Sequence, residues 1–487
     1  MRLKTNLVIS VVFIALLGFV YFYEIRGGED RRVEAERARQ LLDFSEHEVR
    51  SLSIDHGDTL LVVERQGDVW RLTSPVQTDA DGEAVERLLR AMGEVELEGE
   101  PLRDSSSVAA DLSILAGYGL DKPRLRVHVD LLEDMGPLDT LRFGDDTPTD
   151  RFTYVQRGGS GNPEVLRVRA WRFDNLNKSI FDLRDRRVLA FESGDVRRVR
   201  LQRAGEPTIE ASRATEGGWL LESPLARQGD ASKINSILSS LQNAKTERIL
   251  LEQPSPADLA AAGLVDTGLA HAALELTLWV GDDRAQKRLL LGAATEKGSV
   301  QALDTSRPHV FLVDSTLVGQ LRTPVADLRD KRVLHVEAAG VTAVALQEGG
   351  DVLWSAARDS AETWHLTTPP GREAKSWRFS SLLADLDALE AARFAADAAS
   401  ADRLPLAAFG LDTPQWSIVV TRADGSMARL QVGARGDGEA FVMGDEPLSI
   451  SVVDDDEVEG LHLGLDDVST PPTQEPDGAD VDPAAAQ

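Results

Sequence analysis

The chain contains three versions of one short segment, which the first copy spells Trp70-Arg71-Leu72-Thr73-Ser74-Pro75. The later versions are Trp219-Leu220-Leu221-Glu222-Ser223-Pro224 and Trp364-His365-Leu366-Thr367-Thr368-Pro369, so the tryptophans lie 149 and 145 residues apart. In each version the tryptophan and the leucine two residues later share one face of a predicted strand, and the proline ends that strand. This recurrence indicates three tandem copies of one structural unit.

An amphipathic helix is predicted to follow each tryptophan at the same distance. Its apolar residues have the spacing i, i+3, i+4 and i+7, which places them in one stripe that we expect to be buried. The stripe residues are Val85, Leu88, Leu89 and Met92 in the first copy, Ile234, Ile237, Leu238 and Leu241 in the second, and Phe379, Leu382, Leu383 and Leu386 in the third. The common offset supports the repeat.

Three further patterns recur in the same order. A glycine at a predicted helix end is expected to adopt a left-handed conformation, an alternating strand follows, and a Leu-x-x-Gly pattern is expected to end the next strand. The glycines are Gly119, Gly263 and Gly410; the strand residues are Leu125, Val127 and Val129, then Leu274, Leu276 and Leu278, then Trp416, Ile418 and Val420; the last pattern covers residues 141–144, 289–292 and 430–433.

We therefore predict an α+β protein in which an N-terminal transmembrane helix precedes three tandem units of antiparallel strands plus amphipathic helices. The predicted boundaries are a transmembrane anchor over residues 1–26, a polar linker helix over 27–43, repeat units over 44–187, 188–332 and 333–468, and a disordered acidic tail over 469–487. The tail contains almost no large apolar residue that could support a packed core.

The predicted anchor is an uncharged apolar run over residues 6–23. Eighteen helical residues reach roughly 27 Å, close to the thickness of a hydrocarbon core. A cleaved signal peptide is the alternative, but the run ends in Tyr21-Phe22-Tyr23-Glu24, which is a poor cleavage site. We favour an uncleaved single-pass anchor that binds the membrane through residues 6–23.

The charges of the chain indicate on which side of the membrane the residues after the anchor lie. Counting positive residues alone would place the flank after the anchor inside, because it carries five arginines between residues 26 and 39. Long domains translocate largely regardless of that bias, and a net charge of −28 keeps the body soluble. We expect the bacterial inner membrane, with the bulk of the chain on the periplasmic side.

The ordered motifs resemble a known family. They are Leu42-Asp43-Phe44 before a strand, Trp-x-Leu-x-x-Pro, Gly-Leu-Asp-x-Pro, Leu141 to Asp145, and Asp182-Leu183-Arg184-Asp185-Arg186-Arg187. The chain is similar to the bacterial membrane-anchored proteins that carry domain of unknown function 4340, often encoded beside gliding-motility-type ABC transporter components. The second copy departs from the pattern at residues 264–267, and the third lacks the Leu-Arg-Asp-Arg-Arg segment. The resemblance implies an envelope protein and no established activity.

No motif identifies a catalytic, cofactor-binding or metal-binding residue. The eight histidines form no zinc-helix signature, and no phosphate-binding Gly-x-x-x-x-Gly-Lys-Ser/Thr loop or Gly-x-Ser-x-Gly elbow occurs. The acidic run over residues 79–83 partly matches a calcium-binding loop, but Leu88 falls where an oxygen ligand is required. We therefore expect Asp81 to cap a helix, and Asp230 to do the same in the second copy. The acidic run over residues 454–457 is expected to start another helix.

Two residue sets admit a binding role. Trp70, Trp219 and Trp364 could form a platform for sugar or peptide, but their strand pattern favours core positions. Arg184, Arg186 and Arg187 could bind an anion, but we favour a structural ion-pair network at the junctions between units.

These observations favour a non-enzymatic accessory or scaffold component with protein partners, for which the resemblance suggests ABC transporter subunits. The alternatives are a module that binds cell-wall or other surface polymer, and a hydrolase with a carboxylate site that the sequence does not reveal. A net charge of −28 argues against nucleic acid as a partner.

Overall fold

The computed structural model describes residues 39–471 except 133–139, 159–163, 216, 265–271, 296, 399–403 and 445–448. The described chain forms two compact units that meet in sequence at Val188 and Leu189. None of the helices in these ranges is long and apolar enough to cross a membrane. The predicted anchor over residues 6–23 lies outside the described residues, as do residues 472–487 of the predicted tail.

The first unit contains an eight-stranded antiparallel sheet of strand order β4-β3-β2-β1-β5-β6-β7-β8. Its strands are β1 (Val49–Asp55), β2 (Leu60–Gln66), β3 (Val69–Ser74), β4 (Thr78–Asp79), β5 (Leu125–Leu131), β6 (Thr140–Asp146), β7 (Phe152–Gly158) and β8 (Glu164–Arg169). Its helices are α1 (Gly82–Gly93), α2 (Ser105–Ala110), α3 (Ala170–Leu176) and α4 (Ile180–Leu183), with a 3-10 helix at Leu112–Tyr118.

The second unit begins with a nine-stranded antiparallel sheet of order β12-β11-β10-β9-β14-β15-β16-β17-β13. Its strands are β9 (Val196–Arg203), β10 (Ile209–Arg213), β11 (Trp219–Ser223), β12 (Arg227–Gly229), β13 (Arg248–Leu251), β14 (Leu274–Val280), β15 (Ala285–Ala294), β16 (Val300–Asp304) and β17 (Val310–Val313). The accompanying helices are α5 (Ala231–Asn243), α6 (Pro256–Ala261) and α7 (Ser315–Leu321).

The second unit ends with an eight-stranded antiparallel sheet of order β20-β19-β18-β22-β23-β24-β25-β21. Its strands are β18 (Val341–Glu348), β19 (Asp351–Arg358), β20 (Trp364–Thr368), β21 (Arg393–Asp397), β22 (Trp416–Arg422), β23 (Met427–Gly436), β24 (Glu439–Met443) and β25 (Ser449–Asp454). Its helices are α8 (Ser376–Ala388), α9 (Asp455–Leu461) and α10 (Leu465–Val468), with a 3-10 helix at Leu406–Phe409. Three antiparallel sheets with flanking helices confirm the predicted α+β class. Their strand orders correspond over seven strands, but among the described residues the first sheet has no counterpart of β13 and β21, and the third has none of β4 and β12.

The long helix of each copy packs against its own sheet, as the sequence predicted. The stripes of α1 and α8 are fully buried, and that of α5 is buried except for Ile237, which is partly exposed. The predicted helix starts are confirmed in the first two copies. Asp81 accepts a hydrogen bond from the backbone N–H of Ala84 (3.0 Å), and Asp230 accepts one from the backbone N–H of Lys233 (2.9 Å). Both aspartates are helix caps.

The recurring glycines belong to one close contact in each copy. Gly119, Gly263 and Gly410 have φ near +66°, the left-handed conformation that was predicted. The carbonyl before each of them lies against the glycine of the Leu-x-x-Gly pattern, where an added Cβ would come within 2.1 Å at Gly144, 2.0 Å at Gly292 and 2.3 Å at Gly433. The pattern therefore marks a close approach of two backbone segments.

Three local expectations were wrong. The Leu-x-x-Gly pattern does not end a strand, since β6, β15 and β23 continue beyond it through a change of register. The described end of the predicted linker helix, residues 39–43, is not helical, because Gln40 forms a β-bridge with Glu96. The predicted tail begins too early, because Ser469 is buried and forms a β-bridge with Ala374.

Candidate functional site

The second and third sheets are joined by a segment that hydrogen-bonds to both. The N–H of Asp330 donates to the carbonyl of Gln228 in β12 (2.9 Å), and the N–H of Val333 donates to the carbonyl of Leu389 (2.9 Å). The N–H of Ala391 donates back to the carbonyl of Lys331 (2.7 Å). This segment, residues 327–333, begins with the second copy of the Asp-Leu-Arg-Asp pattern, and backbone bonds hold it between β12 and the connection from α8 to β21.

A buried ionic network lies at this junction. Both terminal nitrogens of Arg329 are bonded: Nη1 lies 3.0 Å from each carboxylate oxygen of Asp397, and Nη2 donates to Ser449 Oγ (2.8 Å). Arg227 on β12 donates to the same hydroxyl (3.1 Å) and to the carbonyl of Ala398 (3.0 Å). Ser449 in turn donates to Asp397 (2.7 Å). We call Arg227, Arg329, Asp397 and Ser449 the junction network.

The residue that stands at the position of Arg329 differs among the three copies. It forms a β-bridge with Gly229, and the matching bridges join Arg184 to Ala80 and Ser469 to Ala374. Arg184 is buried, as Arg329 is, whereas the third copy has a buried serine. Of the other arginines singled out in the sequence, Arg187 pairs with Asp185 (2.8 Å) and Arg186 lies over the ring of Phe181 (5.0 Å). Arg329 therefore supports the predicted ion-pair network at a junction, whereas the pair of Arg187 and Asp185 lies within one segment.

A cleft of about 640 Å³ lies beside the junction, and it contains the acids Asp230, Asp330 and Glu390. Burial raises the pKa of Asp330, but hydrogen bonds from His335 (3.1 Å) and Arg332 (2.7 Å) outweigh it and hold that pKa well below its usual range. Asp230 is occupied as the cap of α5. A general acid needs a raised pKa, so the lowered pKa of Asp330 does not suit it to that role.

The lowered pKa of Asp330 predicts a pH dependence of stability. Its contribution is complete above the unfolded-state pKa of about 4 and is lost as pH falls toward the lower folded-state pKa. Asp330→Asn should therefore lose less stability than the wild type between pH 5 and pH 3 in urea denaturation. Asp327→Asn, which removes an exposed ion pair with Lys331, should keep the wild-type slope. Equal acid sensitivity of D330N and wild type would contradict the assignment.

An apolar cavity lies in the core of the second copy, between α5 and the sheet. Its volume is about 50 Å³, enough for a few water molecules or a short branched alkyl group. The residues that line it are Val199, Leu201, Arg203, Ile209, Ala211, Leu221, Ile234, Ile237, Leu238, Leu241, Leu276, Gln320, Leu321, Thr323 and Leu328. Of these residues, Ile237, Gln320 and Thr323 are partly exposed.

Strand register explains why the cavity occurs in the second copy. The residue paired with the leucine of the Trp-x-Leu segment is Val63 in the first copy and alanine in the other two, Ala211 and Ala356. Two residues earlier stand Leu61, Ile209 and Trp354 respectively. The second copy therefore has the smallest pair, whereas the fully buried Trp354 occupies this place in the third. The signal is present in the sequence, where it appears when the three copies are aligned position by position.

Arg203 is the charged residue of the cavity wall. It is 7% exposed, and its terminal nitrogens bond to Glu206 and to the carbonyls of Leu321 (3.1 Å) and Thr323 (2.6 Å). Its Nε is buried and has no hydrogen-bond partner among the described residues. In the third copy, Trp354 makes the comparable bond to the carbonyl of Leu463 (2.7 Å).

The tryptophans of the repeated segment are core residues. Trp70 and Trp364 are 4% exposed and Trp219 is fully buried, which confirms the predicted core role and removes the platform that would have supported polymer binding. The exposed tryptophans of the described chain are Trp171 and Trp377, each beside an arginine.

The acidic runs are also accounted for by local structure. Asp454 caps α9 by accepting from the N–H of Asp456 (2.9 Å), so the run over residues 454–457 is the predicted helix start. Within the described ranges, no group of three or more His, Cys, Asp or Glu side chains is arranged to hold a metal ion. Strands β7 and β8, which flank the glycine-rich residues 158–161, pair as a hairpin.

Comparison with known proteins identifies one family. The model of a domain of unknown function, DUF4340, matches residues 70–267 and again residues 219–405. The second match begins at Trp219, where the segment that starts at Trp70 recurs, so the two matches are offset by one copy. No curated protein and no solved structure matches the chain. Because the matches together cover more than half of the chain, the protein belongs to the DUF4340 family.

Proposed function

We propose that this protein is a non-catalytic, membrane-anchored scaffold of the bacterial envelope. Residues 6–23 would anchor it in the inner membrane, and the three β-sheet copies would stand on the periplasmic side and contact a partner protein. ABC transporter subunits are the partner class that the family resemblance suggests. The cargo and the direction of any transport do not enter the proposal.

The junction network is the observation that carries this proposal. Two arginines, one carboxylate and one hydroxyl are brought out of water to fix the third sheet against the second. Desolvating such groups is costly, and its best-attested benefit is a unique geometry. A fixed arrangement of sheets is useful to a protein that presents surfaces to a partner.

The alternatives receive less support from the described residues. Polymer binding depended on the repeated tryptophans, which are buried. A hydrolase would need convergent acids, and two of the three acids in the junction cleft are engaged, Asp230 as a helix cap and Asp330 as a partner of His335 and Arg332.

Site-specific photocrosslinking in cells tests the scaffold proposal with the full chain. A photoreactive residue replaces Trp377 or Met427, which are 65% and 70% exposed, and crosslinked proteins are identified by mass spectrometry. We expect one recurrent envelope protein from these positions. A photoreactive residue at the buried Phe379 serves as the control and should capture nothing. Recovery of the protein alone, under conditions that preserve other membrane complexes, would count against the proposal.

A further inference from the structure

The face of the second sheet that points away from α5 carries a cleft of about 530 Å³, within the size range of ligand-binding clefts. The charged residues that line it are Arg197, Arg198, Arg213, Arg284, Glu222 and Asp282. Four arginines against two carboxylates leave two positive charges there, whereas the whole chain has a net charge of −28. We call this site the arginine cleft, and its charge is opposite to that of the chain.

The arginine cleft is specific to the second copy. Trp279 lines it and follows the recurring apolar residues of β14, and Arg198 pairs with Trp279 across the neighbouring strand. The matching pairs are Ser51 with Asp130 in the first copy and Ala343 with Thr421 in the third. Two copies form the same strand pairing without an arginine and a tryptophan, so the fold does not require these residues.

Two of the four arginines have partners within the second copy. Arg213 lies over the ring of Trp219 (4.9 Å), and an arginine lies over the repeated tryptophan in the other two copies as well. Arg198 pairs with Glu210 and with Glu222 (3.0 Å). Arg213 therefore serves the common fold, and Arg198 shows that guanidinium groups on this face take carboxylate partners.

The other two arginines are accessible to a ligand. Arg284 is exposed, and its guanidinium group forms no hydrogen bond or ion pair with another described residue. The Arg197 side chain is 46% exposed and lies 3.4 Å from Asp282, whose side chain is 98% exposed. Exposed pairs of this kind contribute little free energy, so a carboxylate of a ligand can replace Asp282. Arginine binds carboxylates through charge-assisted hydrogen bonds, often two at once.

We propose that the arginine cleft binds an acidic segment of a partner protein, whose carboxylates contact Arg197 and Arg284. Charge complementarity selects this ligand, because an acidic segment is repelled by the chain as a whole and attracted by the cleft. The proposal rests on the proposed function and deepens it, since it gives the chemistry of the surface that holds the partner.

A hexaglutamate peptide with an uncharged fluorescent label tests the proposal. Its binding to the full-length protein in phosphatidylcholine nanodiscs is measured by fluorescence anisotropy. We expect saturable binding that weakens as salt is raised, and no binding of hexaglutamine. Arg197→Thr, which copies Thr342 of the third copy, should weaken hexaglutamate binding about three- to fivefold. Arg284→Asp should weaken it about tenfold or more, because it replaces an attraction by a repulsion.

Lys245→Asp is the matched control for R284D. Lys245 is an exposed cation of the same copy, and it does not line the arginine cleft. K245D changes the net charge by the same amount as R284D and should keep the wild-type affinity. Aspartate tolerates the positive φ of residue 284 (55°) better than most residues do. If R284D nevertheless fails to fold, R197T keeps the test valid, because the third copy has threonine at that position.

Several results would overturn the inference. Absence of hexaglutamate binding to the wild type would refute it, and equal losses in K245D and R284D would assign binding to net charge instead of the cleft. Calorimetric binding of inorganic phosphate that R284D abolishes, without hexaglutamate binding, would assign the cleft to a phosphate group.

Photocrosslinking in cells separates this inference from the proposed function. A partner captured equally by the wild type and by R284D would retain the scaffold and reject the arginine cleft as the partner's binding site. Hexaglutamate binding that R284D weakens, without any captured partner, would retain the cleft and reject the scaffold.

Discussion

Arg329→Met is expected to lower the free energy of unfolding by about 3 kcal/mol, because it leaves the carboxylate of Asp397 without its main partner. This is the lower end of the range for breaking a buried ion pair. The Asp397 side chain is 23% exposed, and Arg227 remains 3.7 Å away. Methionine keeps most of the apolar volume against the ring of Phe394, so the loss reports the ionic contacts. Urea denaturation followed by circular dichroism measures it.

Two further variants identify the source of the loss. Lys331→Met removes an exposed ion pair two residues away and should cost no more than about 0.5 kcal/mol. Asp397→Asn in the R329M background removes the stranded charge and should restore part of the stability. If K331M costs as much as R329M, or if D397N adds to the loss, the junction network does not hold the two sheets together.

Gly433→Ala is expected to destabilise the third sheet by about 3 kcal/mol. The new Cβ would lie 2.3 Å from the carbonyl oxygen of Phe409 and 2.9 Å from a side-chain carbon of Leu411. Backbone cannot move aside as a flexible side chain can, so the contact must separate β23 from the helix that ends at Gly410. The same denaturation experiment measures the effect.

Gly436→Ala is the matched control for this substitution. Gly436 is the last residue of the same strand, has no atom within 4 Å of an added Cβ, and does not have a positive φ. We expect its effect to stay within about 0.5 kcal/mol. Equal behaviour of G433A and G436A would mean that the close approach of the two backbones does not contribute to stability.

The sequence predicted the features that depend on local periodicity. The stripes of α1, α5 and α8, the caps Asp81 and Asp230, and the left-handed glycines follow from residues within a few positions of one another. The threefold recurrence made these patterns easier to recognise, because each could be checked at two other places in the chain.

Features that depend on distant contacts were missed or only partly predicted. Nothing near Gly433 indicates that the carbonyl of Phe409 lies against it, so the pattern was interpreted as a strand end. An ionic network was expected at the junctions, but its acceptors Asp397 and Ser449 lie 68 and 120 residues from Arg329. Sequence spacing alone does not pair residues at such separations.

The cavity was missed for a different reason. It arises because Ile209 and Ala211 together are smaller than their counterparts, while α5 keeps the same apolar stripe as the other long helices. Each residue alone is an ordinary core residue. The missing side-chain volume becomes visible when equivalent positions of the copies are compared. The fully buried Trp354 then shows how large a side chain this position can hold.

The serine at position 469 has a consequence for assembly. Head-to-tail contacts join two different surfaces, so they can continue from one molecule to the next and produce open-ended filaments. The second copy offers Arg329 to the acceptors Asp397 and Ser449 of the sheet that follows it, but the third copy offers Ser469 at the same place. A sheet from another molecule would find no cation there, so the ionic contact that Arg329 makes is not offered for extending the array.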